Sequence, residues 1–88
     1  MKEKELERVF KALANRRRLA ILTFLKKKKQ ANVGEIAEEI KLSFKSTSRH
    51  LNVLASSGIL DKEQSSLYSI YSFSTEQNET LRKILNVI

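Results

Sequence analysis

The sequence predicts a mainly α-helical fold with one small β-hairpin, in the order α-α-α-α-β-β-α. Apolar residues recur at helical spacing up to Gly58, two strand-like runs follow, and a last helical stripe ends the chain. The 88 residues are 41% hydrophobic, which is enough for a globular fold with one modest core. We therefore expect residues 1–88 to form a single domain.

The first two helices are marked by their apolar residues and by a cap. A first helix is predicted from about Lys4 to Ala14. Its apolar residues have the helical spacing i, i+3, i+4, i+7 and are Leu6, Val9, Phe10 and Leu13. Asn15 is a favoured cap for a second helix, Arg16 to about Lys28, whose leucines and isoleucine should form the centre of the core. Lys26 to Lys29 close this helix, where positive charge suits the helix dipole.

Two short helices with a tight turn between them follow. Asn32, with Glu35 three residues later, resembles a capping box for the third helix. The fourth helix, over about residues 43–57, has Ser43 as its cap and Gly58 as its stop. Thr47, Leu51 and Leu54 can face a core, whereas the outer side carries hydroxyls and bases but no carboxylate: Lys45, Ser46, Ser48, Arg49 and His50. This arrangement predicts a helix-turn-helix whose fourth helix lies in the major groove of DNA.

The pattern changes from helix to strand after Gly58. Ile59 to Gln64 and Leu67 to Phe73 are two extended runs, and Ser65 and Ser66 separate them as in a hairpin. Ser74, with Gln77 three residues later, is expected to cap a last helix with an apolar stripe of Leu81, Ile84, Leu85 and Ile88. A helix-turn-helix followed directly by a hairpin predicts a winged helix.

Positive charge is concentrated in the N-terminal third of the chain. The net charge is +7, and residues 1–30 hold 11 basic and 3 acidic side chains. This excess favours a polyanionic partner, most commonly nucleic acid, although a solvated basic surface is the alternative.

Other functional classes lack their characteristic residues. The chain has no cysteine and one histidine, and its two glycines are far apart, so we expect neither an enzyme nor a bound cofactor. The N-terminus does not resemble a signal peptide, and the apolar stretch Leu19 to Leu25 is too short to cross a membrane. We therefore expect a cytoplasmic protein without membrane association.

Two motifs resemble the ArsR family of winged-helix repressors. VFKALANRRRLAIL, Val9 to Leu22, resembles its opening motif, and IAEEIKLSFKSTSRHLNVLASSGIL, Ile36 to Leu60, resembles its helix-turn-helix. Residues 48–51 match the family's Ser-Arg-His-Leu core. The resemblance implies a homodimer on a palindromic operator in double-stranded DNA, released by a ligand that is often a metal ion. It also implies pairing through the first and last helices, and the candidate interface residues are Leu6, Val9, Phe10, Leu81, Ile84, Leu85 and Ile88.

The chain departs from the family at its metal-binding positions. The thiolate sensors of the family need cysteines, and its other sensors use histidine and carboxylates on the last helix. Here the region of Glu76 and Glu79 has no histidine, and borderline metals prefer imidazole or thiolate ligands. We therefore expect no metal site of either known type.

The candidate DNA contacts lie on the fourth helix. We expect Lys45, Ser48 and Arg49 to reach DNA, with Ser43 and Ser46 nearby, because arginine is the commonest reader of guanine. Phe44 stands where the family often has glutamine. We expect it to fold inward with Thr47 and Leu51, and the alternative is contact with a thymine methyl group. His50 either contacts a phosphate or supports the helix.

Further basic and polar residues are candidates for phosphate contacts: Lys27, Lys28, Asn32 and Lys62. The alternative for Lys26 to Lys29 is an ordinary solvated run. Arg16 and Arg17 are expected to reach phosphates or acids of a dimer partner, whereas Arg18 should be structural. Lys62 is the only base of the wing, so we expect the wing to contribute little. The alternative to a dimeric repressor is a winged helix that serves only protein interaction in a larger assembly.

Overall fold

A computed structural model describes all residues from 1 to 88 and contains five helices and one three-stranded antiparallel sheet. The helices are α1 Glu3–Leu13, α2 Arg16–Lys28, α3 Val33–Ile40, α4 Phe44–Ser56 and α5 Glu79–Leu85. The strands are β1 Gln30–Asn32, β2 Leu60–Ser65 and β3 Tyr68–Phe73. The predicted winged-helix order is confirmed, and β1 is an additional element that the sequence pattern did not predict.

Side-chain caps fix the starts of α2, α3 and α4. The Asn15 side chain accepts a hydrogen bond from the Arg18 amide at 3.1 Å. At α3, the Glu35 amide donates to Asn32 Oδ1 at 2.8 Å and the Asn32 amide donates to Glu35 Oε1 at 2.9 Å. These two bonds confirm the predicted capping box. Ser43 Oγ accepts from the Ser46 amide at 3.1 Å, so α4 begins where the sequence predicted.

The turn between α3 and α4 closes at Lys41. This residue adopts the left-handed conformation, with φ of 56°. The Leu42 amide then donates to the Ala37 carbonyl at 3.0 Å, which satisfies a carbonyl group of the last turn of α3. The chain is thereby redirected within a few residues from α3 into α4.

The sheet has the strand order β1-β3-β2, so β3 lies in the centre. Ser65 pairs with Tyr68, and the hairpin turn consists of Ser66 and Leu67 rather than the predicted Ser65 and Ser66. The physical reason is that Ser66 adopts a positive φ of 54° and Ser65 remains paired as the last residue of β2. On its other side, β3 pairs with β1 through Ala31 and Tyr71.

The last helix begins later than the sequence predicted. Asn78 is its cap, and Asn78 Oδ1 accepts from the Leu81 amide at 2.8 Å. Ser74 instead accepts from the Glu76 amide at 3.2 Å and closes a local turn before the helix. The prediction of Ser74 as the cap was therefore wrong, because an Asx cap four residues later serves the helix itself.

One cluster of 16 buried hydrophobic residues joins every helix and strand. Ile21, Leu22 and Leu25 of α2 are fully buried at its centre, which confirms the predicted core helix. Tyr71 of β3 and Leu51 of α4 belong to the same cluster. The helix-turn-helix and the wing are therefore packed on a shared core.

Candidate nucleic-acid interface

The outer face of α4 is open to solvent. Opposite the buried side chains of Thr47, Leu51 and Leu54, the exposed side chains are Lys45, Arg49, Asn52, Val53 and Ser56. Ser46, Ser48 and His50 are half-buried at the edges of this face. The structure thus places Lys45 and Arg49 where a duplex could reach them, one helical turn apart.

Asn52 extends this face and was missed in the sequence analysis. It follows Arg49 by three residues, so both side chains lie on the same side of the helix. An asparagine amide can form two hydrogen bonds with the major-groove edge of adenine. The i+3 spacing from Arg49 was the available signal, but an uncharged residue in the third turn adds nothing to the charge pattern that marks the face.

Phe44 faces outward, so the prediction that it packs inward was wrong. Its side chain is 62% exposed, whereas Thr47 and Leu51 are completely buried. Phe44 is the first residue of α4, and its side chain lies at an open groove of about 170 Å³ between the start of α3 and the tip of the wing. No element covers this groove, and the inward positions of α4 are already filled.

Arg18 joins α2 to both α1 and α4. Its guanidinium donates to the carbonyls of Ala12 at 2.5 Å and Lys11 at 3.1 Å, at the end of α1. Its Nη1 lies 3.1 Å from His50 Nδ1 on α4. Arg18 is therefore structural, as expected. The alternatives for His50 were contact with a phosphate and support of the helix, and its contact with Arg18 through Nδ1 favours support.

Burial of the ring and the contact with Arg18 both favour the neutral form of His50. Arginine has no acceptor, so Nδ1 of His50 accepts and its imidazole is neutral. Burial of the ring, and then the positive charges of Arg18 and Arg17, lower the pKa of His50 from its usual 6.5.

Two further arginines donate hydrogen bonds to backbone carbonyls at the C-terminal ends of α3 and α4. Arg17 Nη1 donates to the Ile40 carbonyl at 3.2 Å, at the end of α3. Arg8 Nη2 donates to the Ser56 carbonyl at 2.9 Å, at the end of α4. Arginine at a helix C-terminus satisfies free carbonyls and suits the dipole. Arg17 therefore has an internal partner for one of its donors, whereas Arg16 is exposed without such a bond. Contact of either residue with phosphates or with acids of a dimer partner stays a prediction.

The candidate phosphate contacts differ in their availability. Lys27 and Lys28 are exposed and form no ion pair, since the two ion pairs of the chain involve Lys11 and Lys83. Lys62 is exposed on β2. The side-chain oxygen of Asn32 is already occupied by the cap of α3. The lysines are thus free to meet a polyanion, and their contact with DNA stays a prediction.

The candidate dimer residues divide into two groups. Val9, Leu81 and Leu85 are only 3%, 5% and 3% exposed and belong to the core of the single chain. Their assignment to the interface was wrong, because they pack against the buried residues of their own chain. Phe10 is 51% exposed, and Leu6, Ile84 and Ile88 are half-buried, so these four keep apolar surface for a partner.

Two other features bear on the class of site. No group of three or more His, Cys, Asp or Glu side chains comes together in a form that could hold a metal ion. None of the five helices has the length and apolar composition needed to cross a bilayer.

Comparison with known proteins agrees with this geometry. The sequence model of the bacterial regulatory proteins of the arsR family matches residues 15–62, which include α2, the helix-turn-helix and the start of the wing. No curated protein matches the chain.

Several solved structures are similar over nearly the whole length of the chain. The homodimeric winged helix-turn-helix DNA-binding domain of Mb0332 from Mycobacterium bovis, a possible ArsR-family regulator, has a TM-score of 0.81 and 27% identity, over 96% of this chain and 74% of that one. HlyU from Vibrio cholerae has a TM-score of 0.81 and 26% identity, over 99% and 92%. The transcriptional repressor PagR of Bacillus anthracis has a TM-score of 0.77 and 26% identity, over 96% and 92%. The chain belongs to the arsR family of bacterial regulatory proteins and is a winged helix-turn-helix DNA-binding transcriptional regulator.

Proposed function

We propose that the protein is a homodimeric repressor that places the outer face of α4 in the major groove of a palindromic operator. The observation that carries this proposal is the exposed, carboxylate-free face that holds Lys45, Arg49 and Asn52 on a helix-turn-helix. Mb0332 is described as homodimeric and PagR as a repressor, which supports the same assignment for this chain.

Arg49 and Asn52 carry the direct readout in this proposal. Arginine forms two hydrogen bonds with the O6 and N7 acceptors of guanine, and asparagine forms two with adenine. Lys45 lies one turn before Arg49 and reaches a base or the adjacent phosphate. Ser43, Ser46 and Ser48 offer hydroxyl groups beside these residues, although Ser43 Oγ already accepts the capping bond.

Phe44 should favour a different base in the operator from the one that a glutamine at this position would favour. A phenyl ring cannot make hydrogen bonds with adenine, but it packs favourably on the 5-methyl group of thymine. Because Phe44 is exposed at the leading end of α4, we assign it this thymine contact.

The dimer forms through the apolar surface that the core leaves uncovered. On α1, Leu6 and Phe10 line an open groove of about 430 Å³ together with Ala14. On the C-terminal segment, Ile84 and Ile88 are half-buried. A two-fold axis through these surfaces would present two copies of α4 to half-sites about 34 Å apart, one turn of DNA.

The basic N-terminal third supplies sequence-independent attraction to DNA. Lys27 and Lys28 contact phosphates that flank the half-site, and Lys62 contacts a phosphate from the wing. Residues 1–88 act as one DNA-binding domain, which the shared core supports. A regulator of this kind works beside the chromosome, so we place it in the cytoplasm.

Selection of binding sites from random duplex DNA tests the proposal. The full chain should recover an inverted repeat with half-sites one helical turn apart. The variants Lys45→Ala and Arg49→Ala should lose base preference within the half-site, by about 1–3 kcal/mol for Arg49. Arg82→Ala is a matched control that should keep the base preference, because it removes an exposed positive charge from α5, outside the helix-turn-helix.

Two results would refute parts of this proposal. Recovery of the same sites by Lys45→Ala and Arg49→Ala would show that α4 does not read the bases. The absence of any salt-dependent duplex binding would instead favour the protein-interaction module.

A further inference from the structure

The tip of the wing carries an exposed leucine. Leu67 is 86% exposed, the highest value among the exposed large hydrophobic side chains, and it occupies the second position of the two-residue turn between β2 and β3. The neighbouring Tyr68 is 57% exposed. A tight turn usually carries Gly, Asn, Asp or Ser, so an apolar residue at this position requires an explanation.

The backbone of the turn does not require a leucine. Ser66 adopts the positive φ of 54°, and Leu67 is not among the residues with positive φ. Any ordinary L-amino acid therefore fits at position 67, and a polar one would be better solvated. The side chain also contributes nothing to the core, since most of its surface is in water.

Leu67 borders a groove together with other exposed apolar side chains, one of which is at the start of α4. Phe44, Leu67 and Tyr68 line the same groove, together with Val33 at the start of α3. Single apolar residues on a surface are ordinary, but three neighbouring ones that border a binding face indicate a contact site. We define Phe44, Leu67 and Tyr68 as the apolar edge.

The sheet holds this edge in a fixed position relative to α4. The wing strand β3 pairs with β1, and β1 leads directly into α3, which packs against α4. The wing and α4 therefore keep one relative position, and with α4 in the major groove the tip of the wing would meet the adjacent backbone and minor groove. The wing offers little charge there, because Asp61 and Glu63 flank its single base Lys62.

We propose that Leu67 is an apolar wedge that enters the minor groove beside each half-site and makes the operator selective for easily unstacked steps. This inference rests on the proposed DNA-binding function. Architectural proteins insert leucine and similar side chains between base steps and bend the duplex toward the major groove. Pyrimidine–purine steps such as TA and CA/TG are the easiest to unstack, so they are the sequences that the wedge favours.

The test uses the operator recovered by selection and varies only the steps that lie beneath the wing. Dissociation constants and bend angles are measured for the full wild-type chain, Leu67→Ser and Leu67→Met. The wild type should bind TA or CA steps about tenfold more tightly than stiff AA steps and should bend the DNA, because unstacking costs a few kcal/mol per step and about 1.4 kcal/mol less at the flexible steps would give that ratio. Leu67→Met should keep the preference, and Leu67→Ser should lose both preference and bend.

Salt dependence separates the wedge from a phosphate contact. Leu67→Ser removes no charge, so the slope of log affinity against log salt concentration should remain that of the wild type. Leu67→Arg should steepen this slope, since a new cation at the tip would release counterions. Both variants should keep the wild-type circular dichroism, because the side chain lies outside the core.

Each contrary outcome has a distinct meaning. An unchanged step preference and bend in Leu67→Ser would overturn the wedge while the proposed function stands. A shift of Leu67→Ser to a smaller sedimenting species would show that a second copy of the chain covers the apolar edge, which would also overturn it. Failure of the wild type to bind any duplex would overturn both this inference and the proposed function.

Discussion

Nη1 of Arg18 lies 3.1 Å from Nδ1 of His50, and this contact joins the start of α2 to the middle of the recognition helix. The same guanidinium also bonds to two carbonyls at the end of α1. Arg18 thus connects the end of α1 with α4 and supports the position of α4.

The Arg18–His50 contact predicts a loss of stability in mild acid. The pKa of His50 is lowered in the folded protein, so below about pH 6.5 the unfolded chain binds a proton that the native protein does not. The free energy of unfolding should therefore be fully retained above this pH and should fall as the pH drops toward the lowered pKa. Urea denaturation between pH 5 and 7.5 measures this dependence.

His50→Asn is the matched control for the pH experiment. Asparagine keeps an acceptor for Arg18 but does not titrate, so the difference in pH dependence between wild type and variant isolates His50. Identical pH profiles for the two proteins would contradict a neutral, Arg18-bound imidazole.

Thr47 offers a second test of the recognition helix. Its side chain is completely buried, and its hydroxyl oxygen has no hydrogen-bond partner. Thr47→Val should raise the free energy of unfolding by about 1 kcal/mol, because an unsatisfied buried hydroxyl is replaced by a methyl group. Thr47→Ser should lower it by about 1 kcal/mol, since it keeps the hydroxyl and removes the methyl. A destabilised valine variant in urea denaturation would indicate a hydroxyl partner in solution.

Lys27 and Lys28 should account for a measurable part of the salt dependence of DNA affinity. If both contact phosphates, the double variant Lys27→Ala and Lys28→Ala should flatten the slope of log affinity against log salt by about 1.8. Specific and non-specific DNA should be affected alike, because phosphates carry no sequence information. The control removes the same charge from α5 through Arg82→Ala and Lys83→Ala. Equal slopes for wild type and lysine variant would assign Lys27 and Lys28 to the solvated surface.

Substitution of Phe10 tests the proposed dimer interface. Phe10→Asp should give a folded monomer at micromolar concentration in sedimentation experiments, because the half-exposed ring contributes to the interface more than to the core. Val9→Asp should instead unfold the chain, since Val9 is only 3% exposed. Leu67→Asp, the same kind of change on the wing, should leave the dimer intact. A dimeric Phe10→Asp protein would place the interface elsewhere.

Local patterns predicted most of the helices, whereas long-range contacts escaped the sequence analysis. The capping box of Asn32 and Glu35 and the cap at Ser43 depend on neighbours three residues away, and both were confirmed. Strand β1 has three residues, and its partner β3 follows about forty residues later. Such a short strand has no periodicity of its own, so only the folded sheet reveals it.

The candidate site shows the same limit. Helical spacing predicted the outward direction of Lys45 and Arg49, because that direction depends on α4 alone. The outward direction of Phe44 depends on the open groove beside the wing, and the burial of Val9, Leu81 and Leu85 depends on how α1 and α5 meet the core. Apolar stripes indicated buried surface but did not distinguish packing within the chain from packing between chains.

The pairing of Ala31 with Tyr71 also constrains the order of events during synthesis. The helices α1 to α4 emerge from the ribosome first, and their contacts are mostly local, but the strand that precedes α3 has no partner until β3 is made. A nascent chain that ends before Tyr71 would expose the edge of β1 and leave the core without its buried aromatic ring. Docking of the wing is therefore expected to be the late step that completes a folded, DNA-competent chain.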